Sequence, residues 1–250
     1  MRLVSAGKTD VGMVRDHNED SFAIDEQIGL YVVADGMGGH AGGEMASAIA
    51  VRAIPEWVRD HKVELDGWES AKAGESPQAR ILSSAIQRSC FEIHDAASKN
   101  PELQGMGTTV VSVWVQGERA AVGHVGDSRV YLFRGPQVMQ VTDDHSLVNE
   151  QIKAGVITLE QARHSRFKNI ITRSVGFESD VAVDCHLLEL NVGDRMLLCS
   201  DGLSNFIEAS ELGGVVISSA LEEIPPRLIA LANSRGGDDN ITVVCLELAS

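Results

Sequence analysis

The sequence lacks paired cysteines, membrane-length apolar runs and an excess of positive charge. Its four cysteines form no CxxC pair, which excludes zinc-finger spacing and gives no sign of a disulfide framework: Cys90, Cys185, Cys199 and Cys245. No window approaches the roughly 18 apolar residues of a membrane span, and the opening MRLVSAGKTD lacks the apolar core of a signal peptide. We therefore expect a cytoplasmic protein that does not engage a membrane.

The charge balance is strongly acidic. Lysine and arginine number 21 against 36 aspartates and glutamates, which gives a formal net charge of −15. A nucleic-acid-binding surface needs basic residues to meet the phosphates, so this balance argues against such a partner. The 250 residues are 44% hydrophobic and 23% charged, which is ordinary for a globular protein. We expect a single domain that spans residues 1–250.

Short apolar runs bounded by Gly or Asp predict most of the strands. The clearest are GLYVVAD, TTVVSVWV, RAAVGHVGD, RVYLFRG, DRMLLCSD and NITVVCLEL. Apolar residues at helical spacing predict helices over Glu44–Trp57 and Pro77–Ser98, and Pro225-Pro226 predicts the start of another. Because the strands come in blocks, we predict an α+β fold of antiparallel sheets with helices packed outside. Residues 146–180 lack clear strands and are expected to form a mobile, mostly helical insertion.

Four aspartates stand at the edges of apolar runs: Asp35, Asp127, Asp201 and Asp239. Each alone is readily explained as a turn residue, because Asp-Gly pairs and Asp caps are common at strand ends. As a set they indicate more, since strand ends on one edge gather in space and close carboxylates either take up protons or bind cations. Oxygen ligands without nearby His or Cys select Mg²⁺, Mn²⁺ or Ca²⁺. The sequence has no EF-hand spacing, which lowers the case for calcium.

The glycine-rich stretch after Asp35, GMGGHA, also matches the dinucleotide-binding pattern G-x-G-x-x-A. In that interpretation Asp35 would face a pyrophosphate without compensation, and the surrounding order of elements is not βαβ. A metal explains the aspartate better, because Asp35 can hold a cation that in turn holds a phosphate. The backbone carbonyl of Gly36 is then a further candidate ligand.

Arg15 lies in the acidic stretch DVGMVRDHNEDSF, with Glu19 and Asp20 close behind it. A guanidinium grips a phosphate with two parallel hydrogen bonds, which makes Arg15 a candidate substrate-binding residue. From the spacing alone, the simpler interpretation is that Arg15 balances the neighbouring acidic side chains.

Eight blocks follow one another in a definite order from Thr9 to about Val244: TDVGMVRDHNED, VVADGMGGHAGGE, GMGTTVV, GHVGDSRVYL, VTDDHSLV, RSVG, LLCSDGL and DDNITVV. In this order they resemble the metal-dependent protein serine/threonine phosphatases of the PPM, or PP2C-like, family in its bacterial form. The resemblance implies a four-layer α-β-β-α sandwich of two antiparallel sheets flanked by helices. It also implies that residues 146–180 form a flap beside the cleft.

The resemblance implies a two-metal site, usually with Mn²⁺ or Mg²⁺, at one end of the sandwich. Asp35 matches the carboxylate that bridges the ions, and Gly36 matches a residue whose backbone carbonyl is a ligand. Asp201 and Asp239 match the acidic residues on the first metal. The asparagine that follows Asp239 selects it over its neighbour Asp238.

Further residues match the family around this pair of ions. Glu19 and Asp20 match acidic residues that reach the second metal mostly through water. Asp127 matches a residue that helps to hold a third, weaker ion in bacterial members, together with Asp201. Arg15 matches the arginine that grips the substrate phosphate.

The resemblance also implies hydrolysis of phosphoserine or phosphothreonine by attack of a metal-bridging hydroxide, without a phosphoenzyme. Many eukaryotic members carry a histidine two residues after the bridging aspartate as a candidate general acid, and here that position is Met37. His40 is a possible substitute, although a loop histidine bonded to the backbone or to Glu44 is the simpler interpretation. His124 and His145 are expected to be structural.

We therefore predict a metal-dependent phosphoprotein phosphatase that acts as a monomer opposite a Ser/Thr protein kinase of the same cell, the kinase being implied by the family alone. Two alternatives differ in kind. A catalytically silent phosphoprotein-binding module on the same fold would have lost metal ligands, whereas all the matched acidic residues are present. A hydrolase of small phosphate esters would share every motif named above.

Overall fold

Two antiparallel β-sheets form the centre of the protein, in a computed structural model that describes residues 2–62, 76–163 and 165–250. The first sheet has the order β1 (Arg2–Asp10), β11 (Ile241–Ala249), β10 (Arg195–Cys199), β7 (Arg129–Arg134) and β8 (Gln137–Gln140). The second has the order β2 (Asp20–Asp25), β3 (Leu30–Met37), β5 (Val110–Gln116), β6 (Arg119–Val125) and β9 (Asp184–Glu189). The short β4 (Gly107–Thr108) pairs with the end of β3.

Helices cover the outer face of each sheet. The second sheet is covered by α1 (His40–His61) and α2 (Pro77–Lys99). The first sheet is covered by α5 (Asp201–Ser204), α6 (Ala209–Ser218) and α7 (Ile224–Ser234). The predicted four-layer α-β-β-α sandwich of the α+β class is therefore confirmed. Among the described residues, no helix has the length and apolar character that crossing a bilayer requires.

The alternation of side chains along the strands builds these layers. On β3, Leu30, Val32 and Ala34 pack against α1 and α2, whereas Tyr31 and Val33 point into the space between the sheets. Strands β10 and β11 alternate in the same way between the α6–α7 layer and the other sheet. Because successive strand residues point to opposite faces, strands that are apolar on both faces must be covered on both. The sequence therefore dictates a sheet pair with helices on both sides.

Helix α1 buries a face that the spacing of large apolar residues did not reveal. Met45, the first large apolar residue of the predicted helix, is 45% exposed, while Ala46, Ala50 and Ile54 are buried against the sheet. Small side chains allow the helix to approach the sheet closely, so alanines mark the buried face together with Ile54. The helix also begins at His40, four residues before the predicted start at Glu44.

The segment from 146 to 180 combines two short helices with irregular backbone. Helices α3 (Leu147–Lys153) and α4 (Leu159–Arg163) lie in its first half. In its described second half, Ile171 bridges Ser146, at the start of the segment, and Val175 bridges Thr108, so these backbone groups form β-bridges instead of continuing a helix. Helical structure in this segment is thus less extensive than the sequence predicted.

Trp114 tests the importance of the helix–sheet layer for stability. It is fully buried on β5, its Nε1 donates to the carbonyl of Ile28 at 2.9 Å, and its own carbonyl accepts from Gln78 at 2.7 Å. We expect Trp114→Phe to lower the free energy of unfolding by about 2–4 kcal/mol, because it leaves a cavity and an unpaired carbonyl. Urea unfolding measures this change. Trp57→Phe, at a half-buried position on α1, is the control, and an equal loss in both variants would contradict the expectation.

Candidate active site

Five aspartates from both sheets meet at one end of the sandwich. Asp20 begins β2 and pairs directly with Asp35, near the end of β3. Asp201 follows β10 and Asp239 precedes β11, and these two strands are antiparallel neighbours in the other sheet. Asp127 lies in the turn that carries the chain from β6 in one sheet to β7 in the other. The structure therefore brings together the acidic residues that the sequence placed at strand ends.

Burial, with added repulsion between the carboxylates, raises the pKa values of four of these aspartates. Burial raises the pKa of Asp35 well above its ordinary value, and the charges of the other four aspartates raise it further. Burial raises the pKa of Asp20 to about 7, with added repulsion from Asp201 and Asp239. Burial also raises the pKa of Asp127 to about 8, and Asp201 contributes to that shift. The pKa of Asp201 is raised by burial and then by Asp239. Without a cation, the cluster favours bound protons over full ionisation.

Asp20 carries an oxygen that has no partner. Its Oδ2 accepts hydrogen bonds from Ser200 Oγ and Thr242 Oγ1, each at 2.7 Å, and these bonds join the two sheets. Its Oδ1 is buried and has no hydrogen-bond partner among the described residues. A buried acceptor without a donor is costly, and a cation or its water would satisfy it. The sequence reasoning missed Ser200 and Thr242, whose only signal is their position next to two of the strand ends.

The first turn of α1 packs directly on the end of β3. Gly36 donates its N–H to the carbonyl of Glu19 at 3.2 Å, and a Cβ on Gly36 would overlap the carbonyl oxygen of Gly43. The carboxylate of Glu19 lies against the Cα of Gly43. Glycine is therefore required at position 36 for a close approach of backbone to backbone. The neighbours of β3 are antiparallel, so the dinucleotide-binding interpretation, which needs a parallel βαβ unit, is wrong.

Arg15 reaches the edge of the aspartate cluster. Its Nη2 donates to Asp239 Oδ2 at 2.7 Å, and its Nε donates to the carbonyl of Asp238 at 3.4 Å. These contacts use two of the five N–H donors of a guanidinium. The loop that carries Arg15 is fixed by Asn240, whose side chain donates to the carbonyl of His17 and accepts from the N–H of Glu19. Asn240 thus orients the loop that carries Arg15. The sequence did not reveal this role, because there Asn240 served only to select Asp239 over Asp238.

The histidines divide into two groups. His40 is the first residue of α1, and its side chain lies outside the part of the chain that the structure describes, so its role as general acid stays a prediction. His124 and His145 are buried, with ring centroids 4.4 Å apart and ring planes tilted by 31°. Both rings hydrogen-bond to Gly126, in the turn that carries Asp127.

A groove of about 680 Å³ lies beside the aspartate cluster, and Asp127 and Asp201 are among its lining residues. Its walls are α3 and α4 on one side and the segment from Ser204 to Glu211 on the other. The groove therefore adjoins part of the aspartate cluster.

A four-layer α-β-β-α sandwich with a carboxylate-lined end defines the PP2C-like class of phosphatases that the resemblance predicted. The family model for Protein phosphatase 2C matches residues 14–228, which is most of the chain. The chain therefore belongs to the protein phosphatase 2C family.

Named relatives and solved structures agree with this membership. The chain is 37% identical to the serine/threonine phosphatase stp of Listeria innocua over 246 residues, which cover 96% of this chain and 94% of that protein. It superposes on the Mycobacterium tuberculosis serine/threonine phosphatase PstP/Ppp with a TM-score of 0.88 at 34% identity, with 100% of each chain covered. It also matches the PstP catalytic domain in complex with two manganese ions, with a TM-score of 0.84 at 34% identity and 99% of each chain covered.

The raised carboxyl pKa values predict how the metal-free protein responds to pH. The pKa of Asp20 is about 7 in the folded chain, against about 3.9 for an unfolded aspartate. The folded state therefore binds more protons between these values, so this stabilisation is complete below the unfolded pKa and is lost as pH rises through the folded pKa. Between about pH 4 and pH 8, we expect the free energy of unfolding of EDTA-treated protein to fall less steeply with pH in Asp20→Asn than in wild type.

Urea unfolding at several pH values measures this slope, with Asp60→Asn on the exposed end of α1 as the control. Adding Mn²⁺ to the wild-type protein is expected to stabilise it more at pH 8 than at pH 5, because protons and cations compete for the same oxygens. The same pH slope in wild type and Asp20→Asn would contradict the raised pKa of Asp20 in the folded protein.

Proposed function

We propose that this chain is a metal-dependent protein serine/threonine phosphatase that hydrolyses phosphoserine and phosphothreonine in proteins. The observation that carries the proposal is the convergence of five aspartates from both sheets, with Arg15 at their edge. Relatives over almost the whole chain bear the name serine/threonine phosphatase, which supports the same reaction.

The residues at this end of the sandwich fit divalent cations. All the donors are oxygens, which suits Mg²⁺ and Mn²⁺. The orphaned Oδ1 of Asp20 and the raised pKa values of the neighbouring carboxylates are both relieved by positive charge. The two manganese ions in the related PstP catalytic domain support the same stoichiometry. Two bound cations would supply a nucleophile from water near neutral pH and neutralise charge on the phosphoryl oxygens.

Each acidic residue has a proposed place in this arrangement. Asp35 would be shared by the two ions, Asp201 and Asp239 would hold the first, and the carbonyl of Gly36 would be a further ligand. Glu19 and Asp20 would hold the second ion, mostly through water. Asp127 and Asp201 would hold a third, weaker ion.

The chain's own groups orient the substrate. Arg15 binds two phosphoryl oxygens with its guanidinium fork, and its present contact with Asp239 keeps the fork beside the cluster. Asn240 holds the loop that carries Arg15, so the fork approaches the phosphate from a fixed direction. The seryl or threonyl oxygen leaves on the side opposite the attacking water, and His40 is our candidate for the group that gives it a proton.

The names of the relatives favour a protein substrate over a small phosphate ester, since they are called serine/threonine phosphatases. A catalytically silent binding module is disfavoured because every matched acidic residue is present at the cluster. The cognate Ser/Thr kinase, the monomeric state and the cytoplasmic location stay predictions, as does the role of residues 146–180 as a flap within one domain of 1–250.

Asp238 and Asp239 are adjacent in the chain, but only Asp239 is a proposed metal ligand, so substituting each should affect the metal-dependent activity differently. With Mn²⁺ we expect hydrolysis of a phosphothreonine peptide that EDTA abolishes. Asp239→Asn is expected to lower kcat by about 10²-fold or more, because it removes a ligand charge. Asp238→Asn is the matched control, since Asp238 presents its carbonyl to Arg15, and that contact survives the change.

Activity that survives chelation would contradict the metal-dependent mechanism. Equal losses in the two variants would contradict the assignment of Asp239. Parallel assays with p-nitrophenyl phosphate address substrate class: hydrolysis of this small ester without any hydrolysis of phosphopeptide or phosphoprotein would favour the small-ester hydrolase.

Arg15 is expected to act on the substrate and not on the fold. At saturating Mn²⁺, Arg15→Ala is expected to lower kcat/KM for the phosphopeptide by roughly 10²-fold, because charge-assisted hydrogen bonds to phosphate are lost. Arg59→Ala is the control, since Arg59 forms an ion pair with Asp25 at the opposite end of β2. Steady-state kinetics decide the matter, and wild-type kcat/KM in Arg15→Ala would refute the proposed role.

A further inference from the structure

Two histidines hold the peptide groups of Gly126, the residue before Asp127. Gly126 donates its N–H to His145 Nδ1 at 3.0 Å. Its carbonyl accepts from the backbone N–H of His145 at 2.8 Å and from His124 Nε2 at 2.9 Å. Gly126 has a φ of +109°, and a Cβ there would lie 2.6 Å from Thr109 Cβ. The turn is therefore constrained by both sterics and hydrogen bonds.

These bonds fix the tautomers of both rings. The N–H of Gly126 can only donate, so His145 Nδ1 must be unprotonated, and the proton of the neutral ring sits on Nε2. That Nε2 donates to Asp184 Oδ2 at 3.1 Å. The carbonyl of Gly126 can only accept, so His124 carries its proton on Nε2. Burial lowers the pKa of both rings, that of His124 to about 3, which keeps both neutral near pH 7.

His124, His145 and Asp184 are residues of the types that bind metals, but their hydrogen bonds are incompatible with a bound ion. One ligand atom each from His124, His145 and Asp184 lies within 4.8 Å of the others. A cation on His145 Nε2 would force the proton onto Nδ1, where it would face the N–H of Gly126. A cation on Nδ1 would displace that N–H outright. The cluster is thus built to hold the backbone and not an ion.

On its outer side, His145 is tied to the segment that we propose as the flap. Asp184 Oδ1 accepts from Arg173 Nη1 at 2.7 Å, so the carboxylate links the ring to an arginine of that segment. The backbone N–H of Thr172 donates to the carbonyl of His145 at 2.8 Å. His145 therefore contacts the segment through both its ring and its backbone.

On its inner side, the Gly126 turn is tied to the aspartate cluster. Asp127 and Asp201 are close enough for their charges to interact. Ser128 Oγ lies 2.7 Å from Thr109 Oγ1, and that hydroxyl accepts from the backbone N–H of Asp35 at 3.2 Å. A shift of the Gly126 peptide would therefore move Asp127 and disturb the support of Asp35.

We propose that His145 is a positioning residue of the active site, which sets the Asp127 carboxylate through the peptide of Gly126 and is itself oriented by Asp184 and Arg173. This inference rests on the proposed phosphatase function, because it assigns Asp127 to the metal-binding cluster. Residues that orient a ligand through a hydrogen bond typically affect a metal site by about 10- to 100-fold.

Two substitutions of His145 each keep one of the two hydrogen bonds that the ring makes. In His145→Asn, the side-chain oxygen can take the place of Nδ1 and accept from Gly126. In His145→Gln, the longer side chain reaches the place of Nε2 and can meet Asp184. Both variants lose the imidazole ring and its contact with His124, so any general loss of packing affects the two variants equally. His94→Gln on α2 is the remote control.

With saturating Mn²⁺ and a phosphothreonine peptide, we expect His145→Gln to lower kcat by more than about tenfold, with KM changed by less than about twofold. His145→Asn is expected to recover kcat to within about threefold of wild type. The second readout is deuterium exchange of the Gly126 amide, followed by NMR in metal-free protein. It should be slow in wild type and His145→Asn, and faster in His145→Gln.

Equal kcat and equal exchange in the two His145 variants would overturn the proposal. A difference in kcat without a difference at the Gly126 amide would also overturn it, because the proposed route runs through that peptide. A wild-type protein that hydrolyses no phosphopeptide would refute the proposed function instead, while the exchange measurement would still test whether His145 holds Gly126.

Discussion

The repulsion among carboxylates at one end of a β-sandwich is the constraint on which the account depends. Asp20 and Asp35 come from one sheet and Asp201 and Asp239 from the other, so folding itself forces them together. Burial, with added repulsion from Asp201 and Asp239, raises the pKa of Asp20 to about 7. Burying apolar residues on both faces of both sheets supplies the free energy that opposes this repulsion. The clustered carboxylates therefore favour cation binding at this site already in the metal-free protein.

Neutral polar groups hold the carboxylates in place. The hydroxyls of Ser200 and Thr242 both donate to one oxygen of Asp20 and leave the other open. Asn240 holds the loop that carries Arg15. His124 and His145 hold Gly126 and so the turn that carries Asp127. These supports add no charge to the cluster, so the carboxylates keep their attraction for cations while their directions are set by hydrogen bonds.

Much of the fold and the acidic site could be predicted because both follow from local rules. Strand alternation and aspartates at strand ends are visible in sequence, and antiparallel pairing places Asp20 opposite Asp35. The supporting residues could not be found this way, because Ser200 and His145 act through partners distant in the chain. The buried face of α1 was only partly found, since Ala46 and Ala50 carry little hydrophobic signal although both are buried.

The most direct test is a crystal structure of the protein with Mn²⁺, with the ions located by their anomalous scattering. The account predicts two strong peaks between the sheets, with an oxygen of Asp35 as a ligand of both and Asp239 as a ligand of one. The Arg15–Asp239 contact of 2.7 Å should then be loosened or shared with the ion. Manganese bound elsewhere, with Asp35 and Asp239 uncoordinated, would contradict the claim that the aspartate cluster is a cation site.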